Sequence, residues 1–176
     1  MRTSHIQAKK IRAVGRLLAA AIGVLLAVAV TDKPVSAQER IGDKRVYHAH
    51  KIETLRIDDV DGHELILTEN HGYDVGLGNV SITRAVSDLV KGNGRTSGYA
   101  TMTEPDGDRV FYTFQGQVTT RTGAAGKPVT TIDGTWVVTG GTGKWDHRVA
   151  RGTFKDTVVA PMSTVSDWTG TWEPKK

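Results

Sequence analysis

The chain of 176 residues contains no cysteine, and aromatic residues make up only 6% of it. Without cysteine, disulfide bonds, thiol catalysis and cysteine-bound zinc are all excluded. A domain of this length can still bury a core large enough to fold without such staples. Side-chain packing and backbone pairing must therefore supply the stability.

A basic excess is also missing from most of the chain. The formal net charge is +4, but six of the 23 Lys and Arg residues, and only one of the 19 Asp and Glu residues, lie before position 38. The remaining residues are close to neutral, whereas nucleic-acid-binding domains neutralise phosphates with a surplus of Lys and Arg. We therefore predict no nucleic-acid partner.

Residues 1–37 have the pattern of a cleavable signal peptide. Four basic residues between positions 9 and 16 precede an apolar run of 14 residues, Leu17–Val30, and small residues stand before a cleavage site after Ala37. The alternative is a membrane anchor, which needs about 20 apolar residues. We expect cleavage, which leaves residues 38–176 as a single exported domain, periplasmic or extracellular, with no stable membrane insertion.

In the rest of the chain, apolar and polar residues alternate in short runs. These runs are separated by turn sequences rich in Gly, Asp, Asn and Pro. This pattern is typical of strands in an all-β domain. The eight predicted strands are Val46–Ile57, His63–Thr68, Val80–Val90, Arg95–Thr103, Val110–Val118, Thr130–Thr139, Thr153–Val159 and Asp167–Trp172. We expect a small antiparallel eight-stranded β-barrel, because closure removes the unpaired strand edges. A β-sandwich is the alternative.

Alternation places five aromatic residues on the inward faces of the last four predicted strands, because residues of equal parity share one face of a strand. These residues are Tyr112, Phe114, Trp136, Phe154 and Trp168. An eight-stranded barrel is just wide enough to be filled by side chains or to hold one small ligand. The aromatic set therefore predicts either a packed core or a ligand cavity.

Arg84 shares its parity with the valines and the isoleucine of the third predicted strand, and so it is expected on the inner face. A buried arginine needs a partner, because an unpaired buried charge is costly. Asp88 and Asp156 are the candidate partners, and Arg84 could then anchor a ligand. The alternative is that the ends of the strand leave the barrel and that Arg84 is exposed.

His48 and His50 form an H-x-H pattern on the first predicted strand, where both side chains share a face. A metal site would need a further ligand brought in by folding. The candidates for it are His63, Glu69, His71 and His147. Nothing in the spacing ensures such a contact, so we predict no metal site. The chain also lacks a G-x-S-x-G elbow and a complete phosphate-binding loop.

The second half of the chain carries a series of glycine and aromatic motifs. They are Gly107–Val110, Gly134–Trp136, Gly140–Trp145, Arg151–Phe154 and Trp168–Gly170. This series resembles the allene oxide cyclase-like barrels, a group that includes proteins similar to plant dirigent proteins. One run departs from that pattern, because Ala150 stands where the family has its first small residue, glycine. The resemblance implies an eight-stranded barrel that steers cyclisation or coupling of apolar substrates in a shielded cavity without a cofactor, but it places no catalytic residue here.

We therefore expect an exported barrel that binds a small apolar or aromatic molecule in its interior. The candidate ligand-binding residues are Arg84, Tyr112, Phe114, Trp136, Phe154 and Trp168. The alternatives are a cofactor-independent cyclase or isomerase, in which Arg84, Tyr112 or an inner carboxylate polarises the substrate, and a filled barrel with a structural or interaction role. A homo-oligomer is compatible with each of the three, and whether the protein is an enzyme stays open.

Overall fold

The computed structural model describes residues 39–175, and eight strands make up most of this part of the chain. They are β1 (Glu39–Ile57), β2 (His63–Asp74), β3 (Val80–Val90), β4 (Asn93–Thr103), β5 (Arg109–Thr122), β6 (Pro128–Gly141), β7 (Arg148–Ala160) and β8 (Ser163–Pro174). The strands form one closed antiparallel sheet in sequence order, in which β8 pairs with β1. The predicted all-β fold and eight-stranded barrel are therefore confirmed.

The predicted signal peptide lies outside the described residues, so its cleavage and the export of the domain stay predictions. Within residues 39–175, no helix has the length and apolar character that crossing a membrane requires.

The first two strands are longer than the sequence predicts. β1 begins at Glu39 instead of Val46, and β2 continues to Asp74 instead of ending at Thr68. The cause is pairing around the closed sheet, because the added part of β1 lies against β8, with Glu39 opposite Trp172. Backbone hydrogen bonds to a neighbouring strand here override the local preference of Gly and Asp for turns.

The prediction for the faces of β3 is wrong. Val80, Ile82 and Val86 lie on the outside of the barrel, with 52%, 42% and 48% of their surfaces exposed. The inner face instead carries small residues, which are Ser81, Thr83, Ala85 and Ser87, followed by Leu89. Pairing sets this parity, because Thr83 lies opposite Asn70 of β2 and Ala100 of β4. Small inner side chains also leave room for the aromatic rings across the narrow interior.

Large side chains from β4 to β8 form a buried cluster at one part of the interior. Its members are Met102, Val110, Trp136, Val138, Trp145, Ala150 and Trp168. Gly152 and Gly170 lie opposite each other on β7 and β8, and the ring of Trp136 packs directly on both. A Cβ atom at either glycine would overlap that ring, so these two glycines serve packing in the barrel wall.

Candidate functional site

A cavity of about 350 Å³ lies inside the barrel. Small-molecule sites in proteins commonly measure about 300–1,000 Å³, so this cavity is large enough for one small ligand. The sequence left a packed core and a cavity as alternatives, and the structure has both. Six of the seven residues of the buried cluster also line the cavity, so the packed side chains form part of its wall.

One wall of the cavity is aromatic. The five predicted inner residues Tyr112, Phe114, Trp136, Phe154 and Trp168 all line it. Their rings meet edge to face: the ring centroids of Trp136 and Trp168 are 5.9 Å apart, and those of Phe114 and Phe154 are 6.1 Å apart. Such edge contacts hold the rings in fixed orientations along the cavity. The guanidinium of Arg45 lies over the ring of Trp168, 5.4 Å from its centroid, so one face of this ring is already covered.

The opposite wall, on β2, β3 and β4, carries several small polar residues beside apolar ones such as Ile66 and Leu89. Ser87 donates a hydrogen bond of 2.9 Å to Thr96, and the Asn70 amide lies 3.3 Å from the hydroxyl of Thr83. Thr68 also lines this wall and lies 3.3 Å from the same amide. These contacts satisfy polar groups that would otherwise be costly to bury. The cavity therefore combines an aromatic wall with a hydroxyl-bearing wall.

A buried ion pair lies at the edge of the cavity. Arg45 of β1 binds both carboxylate oxygens of Asp74 at the end of β2, with an Nη2–Oδ2 distance of 2.8 Å. Asp74 is completely buried, and it also accepts hydrogen bonds from the Asn79 amide (2.9 Å) and the Trp168 indole (3.2 Å). These four donors satisfy both oxygens of the buried carboxylate, and Arg45 supplies the opposite charge.

The remaining donors of Arg45 are engaged as well. Nη1 donates to the hydroxyls of Tyr47 (3.0 Å) and Tyr112 (2.6 Å), and Nη2 donates to the sulfur of Met102 (3.1 Å). A guanidinium has five N–H donors, so Arg45 has none left for a ligand. Burial first, and then the neighbouring Tyr47, raise the pKa of Tyr112 well above its usual value, so its hydroxyl stays protonated.

Asp156 of β7 also lines the cavity, and unlike Arg45 and Asp74 it has a polar atom without a hydrogen-bond partner among the described residues. Its Oδ1 atom is buried and has no hydrogen-bond partner, although Ser166 on β8 forms a hydrogen bond with the carboxyl group. Burial raises the pKa of Asp156 to about 6, against the lowering effects of the Ser166 hydrogen bond and the charge of Arg45. Asp156 can therefore exchange a proton near neutral pH.

Arg84 does not belong to this site, and the expectation that it faces the interior is wrong. Its side chain is 71% exposed and forms a hydrogen bond of 2.7 Å with Glu69. The proposed partner Asp88 also lies outside, where it contacts His63 at 2.7 Å. The physical reason is the register of β3, which turns Arg84 and Asp88 outward together with the valines of that strand.

His48 and His50 do not assemble a metal site in the described part of the chain. His48 contacts Ser163 at 3.1 Å, and the ring of His50 stacks on His71 with a centroid distance of 4.7 Å. Within residues 39–175, the one group with metal-ligand spacing is Glu104, Asp106 and Asp108 in the β4–β5 turn. The ammonium of Lys144 lies 2.7 Å from Glu104 and 2.9 Å from Asp106, so a cation already occupies this group.

Sequence reasoning missed the Arg45–Asp74 pair, because both residues fall outside the strands it predicts. The available signal was the parity of Arg45 with Ile41 and Tyr47 once β1 is extended to Glu39. Asp156 was placed on the correct face of its strand, but as a partner for Arg84. The structure shows that it has no ion-pair partner among the described residues.

The geometry defines the class of this protein: a closed eight-stranded antiparallel barrel with a two-sided interior cavity. No protein-family model and no curated protein matches the chain. A crystal structure of a protein with unknown function from Clostridium acetobutylicum ATCC 824 is 11% identical over 76% of this chain and 99% of that chain, with a TM-score of 0.48. The likeness to allene oxide cyclase-like barrels accordingly stays a resemblance of motifs.

Proposed function

We propose that this barrel binds a small apolar or aromatic molecule in its interior. The observation that carries the proposal is the cavity of about 350 Å³ with five aromatic side chains along one wall. Burying a ligand against these rings removes apolar surface from water, which contributes roughly 25 cal/mol per Å². The hydroxyl-bearing wall would orient the polar groups of the ligand.

A fluorescence titration with N-phenyl-1-naphthylamine tests the proposal, because this neutral aromatic probe brightens in apolar surroundings. Ser87→Phe adds a ring to the inner face of β3, whereas Ser97→Phe adds the same ring to the outer face of β4. We expect binding by the wild type and by Ser97→Phe, and at least about 10-fold weaker binding by Ser87→Phe, whose ring takes up ligand volume. Equal binding by the two variants would place the probe outside the barrel and contradict the proposal.

A cofactor-independent cyclase or isomerase is the second candidate, and Asp156 is the observation that favours it. A carboxyl group with a pKa of about 6 beside an apolar cavity is suited to proton transfer to or from a bound molecule. The molecule that copurifies with the protein distinguishes the two candidates when it is added back in excess. A binder returns it unchanged, whereas an isomerase converts it to a species of equal mass and different chromatographic retention.

Export and oligomeric state belong to the same proposal. Cleavage after Ala37 predicts that the protein purified from its host begins at Gln38, which N-terminal sequencing checks. The apolar side chains on the outer face of β3 favour contact between copies of the chain. Native mass spectrometry of the same sample reports the number of subunits, and a monomer at micromolar concentration would remove the homo-oligomer from the proposal.

A further inference from the structure

The charged side chains inside the barrel differ in whether an oppositely charged group binds them. Three charged side chains line the cavity: Arg45, Glu104 and Asp156. Arg45 is bound by Asp74, and Glu104 accepts from the ammonium of Lys144 at 2.7 Å. Asp156 forms no ion pair with any other residue that the structure describes, and its Oδ1 atom is buried without a partner there. The cavity therefore holds one uncompensated carboxylate when Asp156 is ionised.

The neighbours of this carboxylate are mainly apolar and aromatic, apart from Ser166, which lies opposite it on β8. Phe154 lies two residues away on the same inner face of β7, and Trp168 lies opposite Phe154 on β8. Ile132 of β6 lies opposite Asp156 itself. A buried carboxylate in such surroundings is costly unless a cation or a strong donor binds it, and aromatic faces attract cations as well. An amine meets both conditions, because its ammonium can approach the carboxylate and the ring faces together.

We propose that the ligand of this cavity carries a protonated amine, which forms an ion pair with Asp156 while its apolar part packs against the aromatic wall. The inference rests on the proposed binding function and adds the chemical class of the ligand. An anionic ligand is disfavoured, because Arg45 has no free donor to bind it and Asp156 would repel it. A neutral ligand would leave the buried carboxylate unpaired.

Proton exchange by Asp156 makes the binding of an amine dependent on pH. The groups that act on Asp156 are Arg45 from β1, Asp133 from β6 and Ser166 from β8, together with burial, and the result is a pKa of about 6. Above that value the carboxylate is ionised and pairs with the ammonium. Below it the carboxyl is neutral, so the attraction is lost and binding weakens.

Isothermal titration calorimetry with three indole compounds tests the inference. Tryptamine carries an ammonium, tryptophol a neutral hydroxyl and indole-3-acetate a carboxylate, on nearly the same apolar frame. With protein produced from the full chain at pH 7.5, we expect tryptamine to bind about 10- to 100-fold more tightly than tryptophol, the range for a charge-assisted hydrogen bond within a buried pair. Indole-3-acetate should bind most weakly.

Asp156→Asn keeps the size of the side chain and removes its charge, and Asp167→Asn is the matched control on an exposed carboxylate of β8. The tryptamine preference should disappear in Asp156→Asn and fall about 5- to 10-fold in the wild type at pH 5, where about a tenth of Asp156 is still ionised, but it should persist in Asp167→Asn at pH 7.5. Should Asp156→Asn fail to fold, the wild-type preference and its decrease at pH 5 decide the question.

The results of these titrations distinguish a failure of the amine assignment from a failure of the proposed binding function. If tryptophol binds as tightly as tryptamine at pH 7.5, or tightens below pH 6 because a neutral Asp156 donates to it, the amine assignment is overturned while interior binding stands. If neither the three indoles nor N-phenyl-1-naphthylamine binds, the inference and the binding function fail together.

Discussion

Replacement of Asp156 by Asn should stabilise the barrel at neutral pH and not in acid. Burial raises the pKa of this carboxyl from an ordinary 3.8 to about 6 in the folded protein. Because the folded pKa lies above the unfolded one, the stabilising contribution is complete below the unfolded pKa and is lost as the pH rises through 6. At pH 7.5 the folded protein therefore holds an ionised group in an unfavourable place.

The size of the effect follows from the pKa difference. A shift of about two pKa units corresponds to about 3 kcal/mol, at about 1.4 kcal/mol per unit, and this is the largest pH-dependent gain that Asp156→Asn can give. The lowering effect of the Ser166 hydrogen bond is already included in the folded pKa of about 6. The difference between pH 7.5 and pH 4 thus isolates the effect of the charge.

Urea unfolding at a series of pH values measures this difference. We expect the free energy of unfolding of Asp156→Asn to gain about 1–3 kcal/mol over the wild type between pH 4 and pH 7.5. The exposed Asp167→Asn should show about 0–1 kcal/mol across the same range, as is typical of surface ion pairs. A constant offset between Asp156→Asn and the wild type at every pH would refute the account of Asp156 as a desolvated carboxyl.

Three further substitutions test the rest of the structure by urea unfolding. Arg45→Met should cost about 3–5 kcal/mol, because it leaves a completely buried carboxylate without its cation. Arg84→Ala should change stability by less than about 1 kcal/mol and leave ligand binding intact, because this side chain is exposed on the outer face. Gly170→Ala should cost about 1–3 kcal/mol, since the new methyl group overlaps Trp136, whereas Gly140→Ala has room and serves as its control. Equal effects of the two alanines would contradict the packing role of Gly170.

The barrel could be predicted from the sequence because period-two alternation and turn residues act locally. The inward positions of Tyr112, Phe114, Trp136, Phe154 and Trp168 were predicted correctly, since every aromatic residue of β5 to β8 except Phe111 has the same parity. The prediction for β3 failed because its sequence allows either face to be the inner one. Its valines and Ile82 point outward, and Thr83 and Ser87 point inward, as pairing with the neighbouring strands requires.

The polar part of the site could not be predicted, because it depends on contacts between distant strands. Arg45 and Asp74 are 29 residues apart, and both lie in segments whose local sequence favours turns. Pairing of β1 with β8 and of β2 with β1 turns these segments into strands and brings the two side chains together. The sequence predicts correctly which face of β7 carries Asp156. The lack of an ion-pair partner for this residue in the described part of the chain depends on the folded interior, so the sequence alone does not show it.

Native mass spectrometry of the protein purified from its host tests most directly whether the interior holds a small molecule. We expect an extra mass of a few hundred daltons on each subunit, which denaturation releases and which Ser87→Phe reduces. A bare mass for the wild-type protein, together with no binding of N-phenyl-1-naphthylamine, would contradict this expectation and leave a barrel with a structural or interaction role.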